Sequence, residues 1–207
     1  MKLVTQLLAS AALLSSAVAF AAPLSFDFKD PKGVNNVLFN LDAPLEAISG
    51  TGTGIAGTVS FDPANPAATT GRITLATSSL TVGNPMMKDH LQGKMWLDVA
   101  THPEISFEAT ALSNVKTVGD KTTATVTGKL TIKGVTKELS APVSLTYLPG
   151  KLGARMGKAD LKGDLLVLRT QFSVNRSEFG IMPGKNTEKV SETIDLTLNL
   201  AGAAAQN

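Results

Sequence analysis

The chain has 207 residues, enough for one domain or at most two, and 43% of them are apolar while 17% are charged. This apolar content excludes an intrinsically disordered chain, and a net charge of +2 without clusters of like charge argues against a nucleic-acid partner. The absence of cysteine excludes disulfides, thiolate zinc sites and cysteine nucleophiles.

The first residues, 1–21, have the pattern of a secretory signal peptide. A lysine at the second position is followed by an apolar run over 7–20, and Ala-Phe-Ala at 19–21 provides small residues for cleavage. We expect cleavage between Ala21 and Ala22. The apolar run is shorter than the roughly 20 residues of a membrane-spanning helix, so we expect no stable membrane insertion.

The remaining residues, 22–207, are predicted to form one domain built mostly of β-strands. Apolar and polar side chains alternate with a period of two, which is typical of strands with one buried face. Eight such stretches are separated by turn residues: 34–41, 55–61, 72–80, 105–111, 124–132, 139–147, 166–174 and 193–200. Eight strands with one apolar face each predict an all-β sandwich or a closed barrel.

Residues 84–99 interrupt this alternation. Met87, Leu91 and Met95 recur at helical spacing, and Pro85 stands where a helix can begin. We predict a short helix, or two helical turns, that crosses between strands with its methionine and tryptophan side chains facing the interior. Methionine adapts to flexible ligands, but ordinary core packing is the preferred interpretation from the residues alone.

The sequence motifs assign no catalytic residue and no metal site. The pattern Gly-x-Gly-x-x-Gly at 52–57 begins a predicted strand rather than a helix, so we do not expect a dinucleotide site. His90 and His102 match no established spacing of metal ligands, so we expect neither to bind a catalytic metal.

Arg176 is the most informative charged residue. It follows Phe172 and Val174 with a period of two, so it is expected to point towards the apolar face. An arginine there needs either a structural ion pair, for example with Glu192 or Asp89, or a polar mouth to reach. The sequence leaves both alternatives open.

Four segments, in the same order and spacing over about 34–200, resemble the YceI-like family of periplasmic proteins. They are GTVSFD at 57–62, HL at 90–91 with WLDV at 96–99 and PEISF at 103–107, GKLTIKGVTK at 128–137, and RSEFG at 176–180. The resemblance implies an eight-stranded antiparallel, lipocalin-like barrel with a short helical crossing, located in the periplasm. It further implies a cavity for a polyisoprenoid, such as an isoprenoid quinone, with no catalytic residues and no covalent cofactor.

The strand alternation and the resemblance together predict which side chains line such a cavity. The inward positions are Val59, Phe61, Leu75, Phe107, Leu130, Ile132, Val143, Leu145, Leu168, Phe172 and Leu196, with Met87, Leu91, Met95 and Trp96 closing one side. Arg176 and His90 are the polar candidates at the mouth.

Three functions are compatible with this sequence. The first is a periplasmic carrier for a long apolar ligand, and the second is a structural or stress-related barrel filled by its own side chains. The third is an enzyme acting on a lipid or quinone precursor, which would need a polar cluster inside the cavity. The sequence also leaves open whether the protein forms a homodimer.

Overall fold

The computed structural model describes residues 22–206, so the predicted signal peptide, 1–21, lies outside the described residues; Ala22 is exposed. The strands are β1 (Leu24–Asp27), β2 (Asn36–Asp42), β3 (Ala47–Gly52), β4 (Ile55–Phe61), β5 (Thr70–Ala76), β6 (Thr81–Val82), β7 (Glu104–Val118), β8 (Lys121–Ile132), β9 (Val135–Leu148), β10 (Gly163–Asn175) and β11 (Thr193–Ala205). The helices are α1 (Pro85–Gln92) and α2 (Leu152–Met156), with 3-10 helices at Pro66–Ala68, Thr77–Ser79 and Arg176–Phe179.

Eight antiparallel strands close into a barrel in the order β1-β4-β5-β7-β8-β9-β10-β11, and β1 pairs with β11 at Asp27 and Ala203 to complete the ring. Strands β2, β3 and β6 continue the sheet from the opposite half of β11. The predicted eight-stranded barrel is therefore confirmed, with one change of membership. The first predicted strand, 34–41, corresponds to β2, which lies outside the ring. Its expected place in the ring is taken by β1, whose four residues are too few to show alternation in the sequence.

Helix α1 forms where the sequence predicted a helical crossing, and its two ends have clear causes. The Asn84 side chain accepts hydrogen bonds from the backbone N–H groups of Met86 (2.9 Å) and Met87 (3.3 Å), which caps the helix. Pro85 occupies the first turn, and Gly93 leaves the helical conformation. The helix therefore ends at Gln92, three residues before Met95.

The glycine-rich segment 52–57 serves the packing of strands. Gly57 has a φ of +118°, and a Cβ atom at this position would lie 2.1 Å from the carbonyl oxygen of Arg72 on the neighbouring β5. Only glycine allows this conformation and this close approach. The rejection of a dinucleotide site agrees with this strand geometry, because β4 rather than a helix follows the motif.

One end of the barrel, which we call the packed end, is filled by Phe26, Phe28, Phe61, Tyr147 and Leu166. The phenylalanines and Leu166 are at most 1% exposed. The rings of Phe26 and Phe61 meet edge to face at 6.5 Å between centroids, and Tyr147 lies 6.1 Å from Phe61. None of these five residues lines the cavity at the other end of the barrel.

Polar groups at the packed end are satisfied by protein partners. The Tyr147 hydroxyl donates to a carboxylate oxygen of Asp164 at 2.8 Å, and the backbone N–H of Gly150 donates to the other oxygen. Burial, together with the hydrogen bond and the charge of Asp164, raises the pKa of Tyr147 to about 12. The tyrosine therefore stays neutral and holds the end of the barrel together.

Asp30 ties the loop before β2 to helix α2 at this same end. Its carboxylate accepts hydrogen bonds from the backbone N–H groups of Val34 and Asn35 and pairs with Arg155 at 3.1 Å. Burial raises the pKa of Asp30, but the hydrogen bonds from Arg155 and the backbone outweigh it and lower the pKa to about 2.

Among the residues that the structure describes, no helix is long and apolar enough to span a membrane.

Candidate ligand cavity

The other end of the barrel, which we call the hollow end, encloses a cavity of about 230 Å³. Its wall is formed by inward side chains of the barrel strands and of β2, and its cover is formed by Leu80, Leu91, Trp96, Leu97 and Ile181. Leu80, Leu97 and Ile181 are buried. Alternation of the strands therefore creates a continuous apolar surface around an empty centre.

The structure places most of the predicted cavity residues around this space. These are Val59, Leu75, Leu91, Trp96, Phe107, Leu130, Ile132, Val143, Leu145, Leu168, Phe172 and Leu196, together with Arg176. They come from seven strands, from helix α1 and the segment after it, and from the 3-10 helix that begins at Arg176, so only closure of the barrel brings them together.

Four predicted positions lie outside the cavity lining. Phe61 faces inward but belongs to the packed end, where it contacts Phe26 and Tyr147. Met87 is half-buried and borders a separate shallow depression next to β3 and β6. Met95 is 64% exposed because the helix ends before it, and His90 is exposed on α1. Met86 is exposed as well, so the prediction that the methionines of residues 84–99 face the interior is wrong for Met86 and Met95.

Several lining residues were missed. Val37, Phe39 and Leu41 alternate in β2, and this period-two signal was visible in the sequence but was not assigned to the cavity. Leu97 and Ile181 lie in irregular segments. Their sequence context carries no periodicity, so no signal could have found them.

Arg176 is completely buried, and all five of its N–H donors are used by the protein. Its Nε donates to the carbonyl oxygen of Ser191 at 3.0 Å. One terminal nitrogen donates to the carbonyls of Ile181 and Met182, and the other to those of Lys185 and Val190. The loop 181–192 is thus wrapped around one guanidinium, and we call this arrangement the Arg176 clasp.

Two further contacts complete the clasp. A terminal nitrogen of Arg176 lies 3.2 Å from a carboxylate oxygen of Glu192, and the guanidinium lies 5.6 Å from the centre of the Trp96 ring. The hydrogen bond from the Ser177 hydroxyl and, to a smaller extent, the charge of Arg176 lower the pKa of Glu192. The ion pair with Glu192 is therefore formed, while the alternative partner, Asp89, is exposed on α1.

The cavity has little capacity for polar chemistry. Among the described lining residues Arg176 is the only charged one, and its donors are occupied. The hydroxyls of Thr69 and Thr170 donate to the carbonyls of Pro66 and Pro142. Within residues 22–206, no three His, Asp or Glu side chains are placed to hold a metal ion. The arrangement can accommodate a hydrocarbon, and the donors of Arg176, Thr69 and Thr170 are already used within the protein.

Comparison with known proteins agrees with this architecture. A family profile described as the YceI-like domain matches residues 31–201. A UPF0312 protein of Pseudomonas savastanoi pv. phaseolicola is 36% identical over 146 residues, which are 70% of this chain and 68% of the relative. The crystal structure of BcnA from Burkholderia cenocepacia aligns with a TM-score of 0.66 at 25% identity, over 81% of this chain and 95% of BcnA.

A more distant structure has the same fold. It is described as a polyisoprenoid binding domain from Saccharophagus degradans implicated in plant cell wall breakdown. It aligns with a TM-score of 0.63 over 88% of this chain and 99% of that domain, at 9% identity.

Proposed function

Because the chain belongs to the YceI-like domain family, we propose that it is a periplasmic carrier for the hydrocarbon part of an isoprenoid, such as an isoprenoid quinone. In this proposal the ligand lies in the hollow end of the barrel. The signal-peptide pattern of residues 1–21 supports export. The polyisoprenoid described for the Saccharophagus domain of the same fold supports the ligand class.

The observation that carries the proposal is the chemistry of the cavity wall. Aliphatic and aromatic side chains face an empty space, and Arg176, the single charged residue among the described lining residues, keeps no donor for water or for a ligand. An apolar cavity of this kind stays dry and gains free energy when hydrocarbon fills it. A chain that buries about 300 Å² of apolar surface there would gain about 7 kcal/mol, less the ordering cost of the chain.

A self-filled structural barrel is the alternative, and the two ends of the molecule bear on it differently. The packed end has the dense aromatic contacts that a self-filled core requires. The hollow end leaves about 230 Å³ empty, which exceeds the small voids of ordinary cores.

An enzyme acting on a lipid would need reactive polar groups at the cavity. The charged and hydroxyl-bearing residues of the described lining are Arg176 and threonines only.

The proposal is tested by organic extraction of the purified mature protein, followed by mass spectrometry. We expect an isoprenoid in near-stoichiometric amount. The sole tryptophan, Trp96, lines the cavity, so titration of delipidated protein with geranylgeraniol should change its fluorescence. A protein that carries no lipid and gives no response to geranylgeraniol would overturn the carrier function and favour the structural alternative.

A variant pair makes this test specific. Leu130→Asp places a charge in the cavity wall and should abolish binding, whereas Lys129→Asp changes the neighbouring exposed position on β8 and should leave it intact. Circular dichroism checks that both variants remain folded. Equal binding by the two variants would place the ligand outside the barrel.

A further inference from the structure

Both ends of the barrel are closed against a long ligand. Phe26, Phe28 and Phe61 fill the packed end. At the hollow end, Leu97 and Ile181 are buried over the cavity, and the Arg176 clasp fixes the loop that carries Ile181 through hydrogen bonds to five carbonyls. Opening this cover would leave a buried guanidinium or its carbonyls without partners, which is costly.

The wall of the barrel has a seam that the strands do not close. The ladder between β9 and β10 runs from Leu148 and Leu165 only as far as Val143 and Thr170. Beyond that point, residues 135–142 of β9 and 171–175 of β10 have no partner across the seam among the described pairings. Every other neighbouring pair in this part of the wall, β8 with β9 and β10 with β11, stays paired to the strand ends.

Pro142 gives a physical reason for the divergence. Its carbonyl points across the seam and accepts a hydrogen bond from the Thr170 hydroxyl at 2.7 Å. A residue's N–H and carbonyl point to the same side of an antiparallel strand, so the next ladder bond would have to come from the N–H that proline lacks. The sequence therefore ends the ladder at this residue.

The cavity reaches both edges of the open seam. Leu139 and Ala141 on β9 line it, and so do Phe172 and Val174 on β10. Leu139 and Phe172 are only half-buried, whereas Ala141 and Val174 are buried deeper in the wall. Apolar side chains thus lead from the surface of the seam into the cavity.

The size of the cavity requires such an opening. A cavity of about 150 Å³ accommodates benzene, so on the same scale 230 Å³ holds about nine carbons, or roughly two isoprene units. The rest of a longer isoprenoid, and its polar head group, must lie outside. Arg176, the one charged residue in the described lining, already uses its N–H donors within the protein, so no charged group is free to bind a head group inside.

We infer that the isoprenoid enters sideways, through the seam between β9 and β10 (the lateral portal), and that its head group stays outside the barrel wall. This inference rests on the proposed carrier function. The lateral portal needs no movement of the Arg176 clasp. It requires only that the two strand edges separate further beyond the hydrogen bond from Thr170 to Pro142, where no ladder pairing joins them.

Because the chain has no cysteine, the portal can be cross-linked selectively. Ser140→Cys with Ser173→Cys places one thiol on each edge of the seam, at exposed positions. A short bis-thiosulfonate reagent then bridges the edges, and dithiothreitol releases them in the same sample. The control pair, Met95→Cys with Lys133→Cys, ties the cover to the β8–β9 hairpin, where the Lys133 ammonium already lies 3.3 Å from the Met95 carbonyl.

The measured quantity is the association rate of geranylgeraniol, followed by stopped-flow fluorescence of Trp96. We expect the portal cross-link to slow association about tenfold or more and the cover cross-link to change it less than about twofold. Dithiothreitol should restore the rate of the portal variant, and ligand loaded before cross-linking should leave about tenfold more slowly.

Two failures are distinguishable. A rate that the portal cross-link does not change, or that both cross-links slow equally, overturns the lateral route while binding itself persists. Absence of binding to the unmodified protein would overturn the carrier function and the portal with it.

Discussion

The packed end and the hollow end share the same barrel wall but differ in what fills them. At the packed end, β1 lies between β4 and β11 and brings Phe26 into contact with Phe61. At the hollow end β1 is absent, and β2 pairs with β11 instead and contributes Phe39 to the wall. A four-residue strand thus decides which half of the barrel becomes a core and which half stays open.

The two ends are also stabilised by different forces. Aromatic packing is the main stabilising force at the packed end, and the hydrogen bond from Tyr147 to the Asp164 carboxylate and the Asp30–Arg155 ion pair add to it. The hollow end contains less side-chain volume and is covered by the charged Arg176 clasp. A cavity can persist in a small barrel when its cover is fixed by hydrogen bonds rather than by filling of the interior.

The largest effect is expected at the clasp. Arg176→Met leaves five carbonyls and Glu192 without their buried donor, and should lower the free energy of unfolding by about 5 kcal/mol. Urea denaturation followed by Trp96 fluorescence measures this loss. Glu192→Gln keeps the arginine and its carbonyl partners and should cost about 1 kcal/mol. Similar losses for both variants would show that the ion pair, rather than the carbonyl network, holds the cover.

Truncation of one phenylalanine at each end compares the two directly. Phe61→Ala should cost about 4 kcal/mol, because it removes apolar contacts and creates a new cavity in the packed end. Phe107→Ala should cost about 2 kcal/mol, close to the transfer free energy alone, because the ring already borders empty space. Equal losses in chemical denaturation would contradict the division into two ends.

Filling tests the same difference from the opposite direction. Gly202→Ala places a Cβ atom 2.6 Å from the Phe28 ring and should cost about 2–3 kcal/mol through overpacking. Ala141→Leu adds its carbons to the cavity instead and should change stability by less than about 1 kcal/mol while lowering geranylgeraniol occupancy. A strongly destabilised Ala141→Leu variant would mean that the hollow end is a filled core.

The packed end should also respond to acid. The pKa of Asp30 is lowered from 3.8 to about 2 in the folded protein, so its contribution is complete above pH 4 and is lost as the pH falls towards 2. Asp30→Asn should therefore lower stability by about 2 kcal/mol at neutral pH and flatten the profile between pH 4 and pH 2. Asp89→Asn, at an exposed position, is the control. If the stabilities of wild type and Asp30→Asn changed in parallel with pH, Asp30 would not be a cause of the acid sensitivity.

The smallest effect is expected on the outer face of the cover. Met95→Ser changes a side chain that is 64% exposed and should shift the free energy of unfolding by less than about 0.5 kcal/mol. Ligand occupancy measured by mass spectrometry should also stay unchanged. Reduced occupancy would restore the earlier expectation that Met95 contacts the ligand.

Much of the fold could be predicted because strand periodicity is a local property. The alternation of Ile194, Leu196, Leu198 and Leu200 assigns their face of β11 without knowledge of any partner strand. Helical spacing predicted α1, but it extended the pattern to Met95, beyond the point where Gly93 ends the helix. Strands β1, β3 and β6 were missed because two are very short and β3 contains two glycines and little apolar alternation.

The sequence by itself determined the all-β character, seven of the eight barrel strands and most of the apolar wall, because each depends on residues only two positions apart. The tertiary structure alone decided that Phe61 packs against Phe26 while Leu130 faces a cavity, since both side chains have the same local pattern. It also decided the role of Arg176, whose five carbonyl partners lie in a loop without periodicity. Which inward side chains meet, and which leave space between them, depends on strand register and barrel closure, and these are set by contacts between residues far apart in the chain.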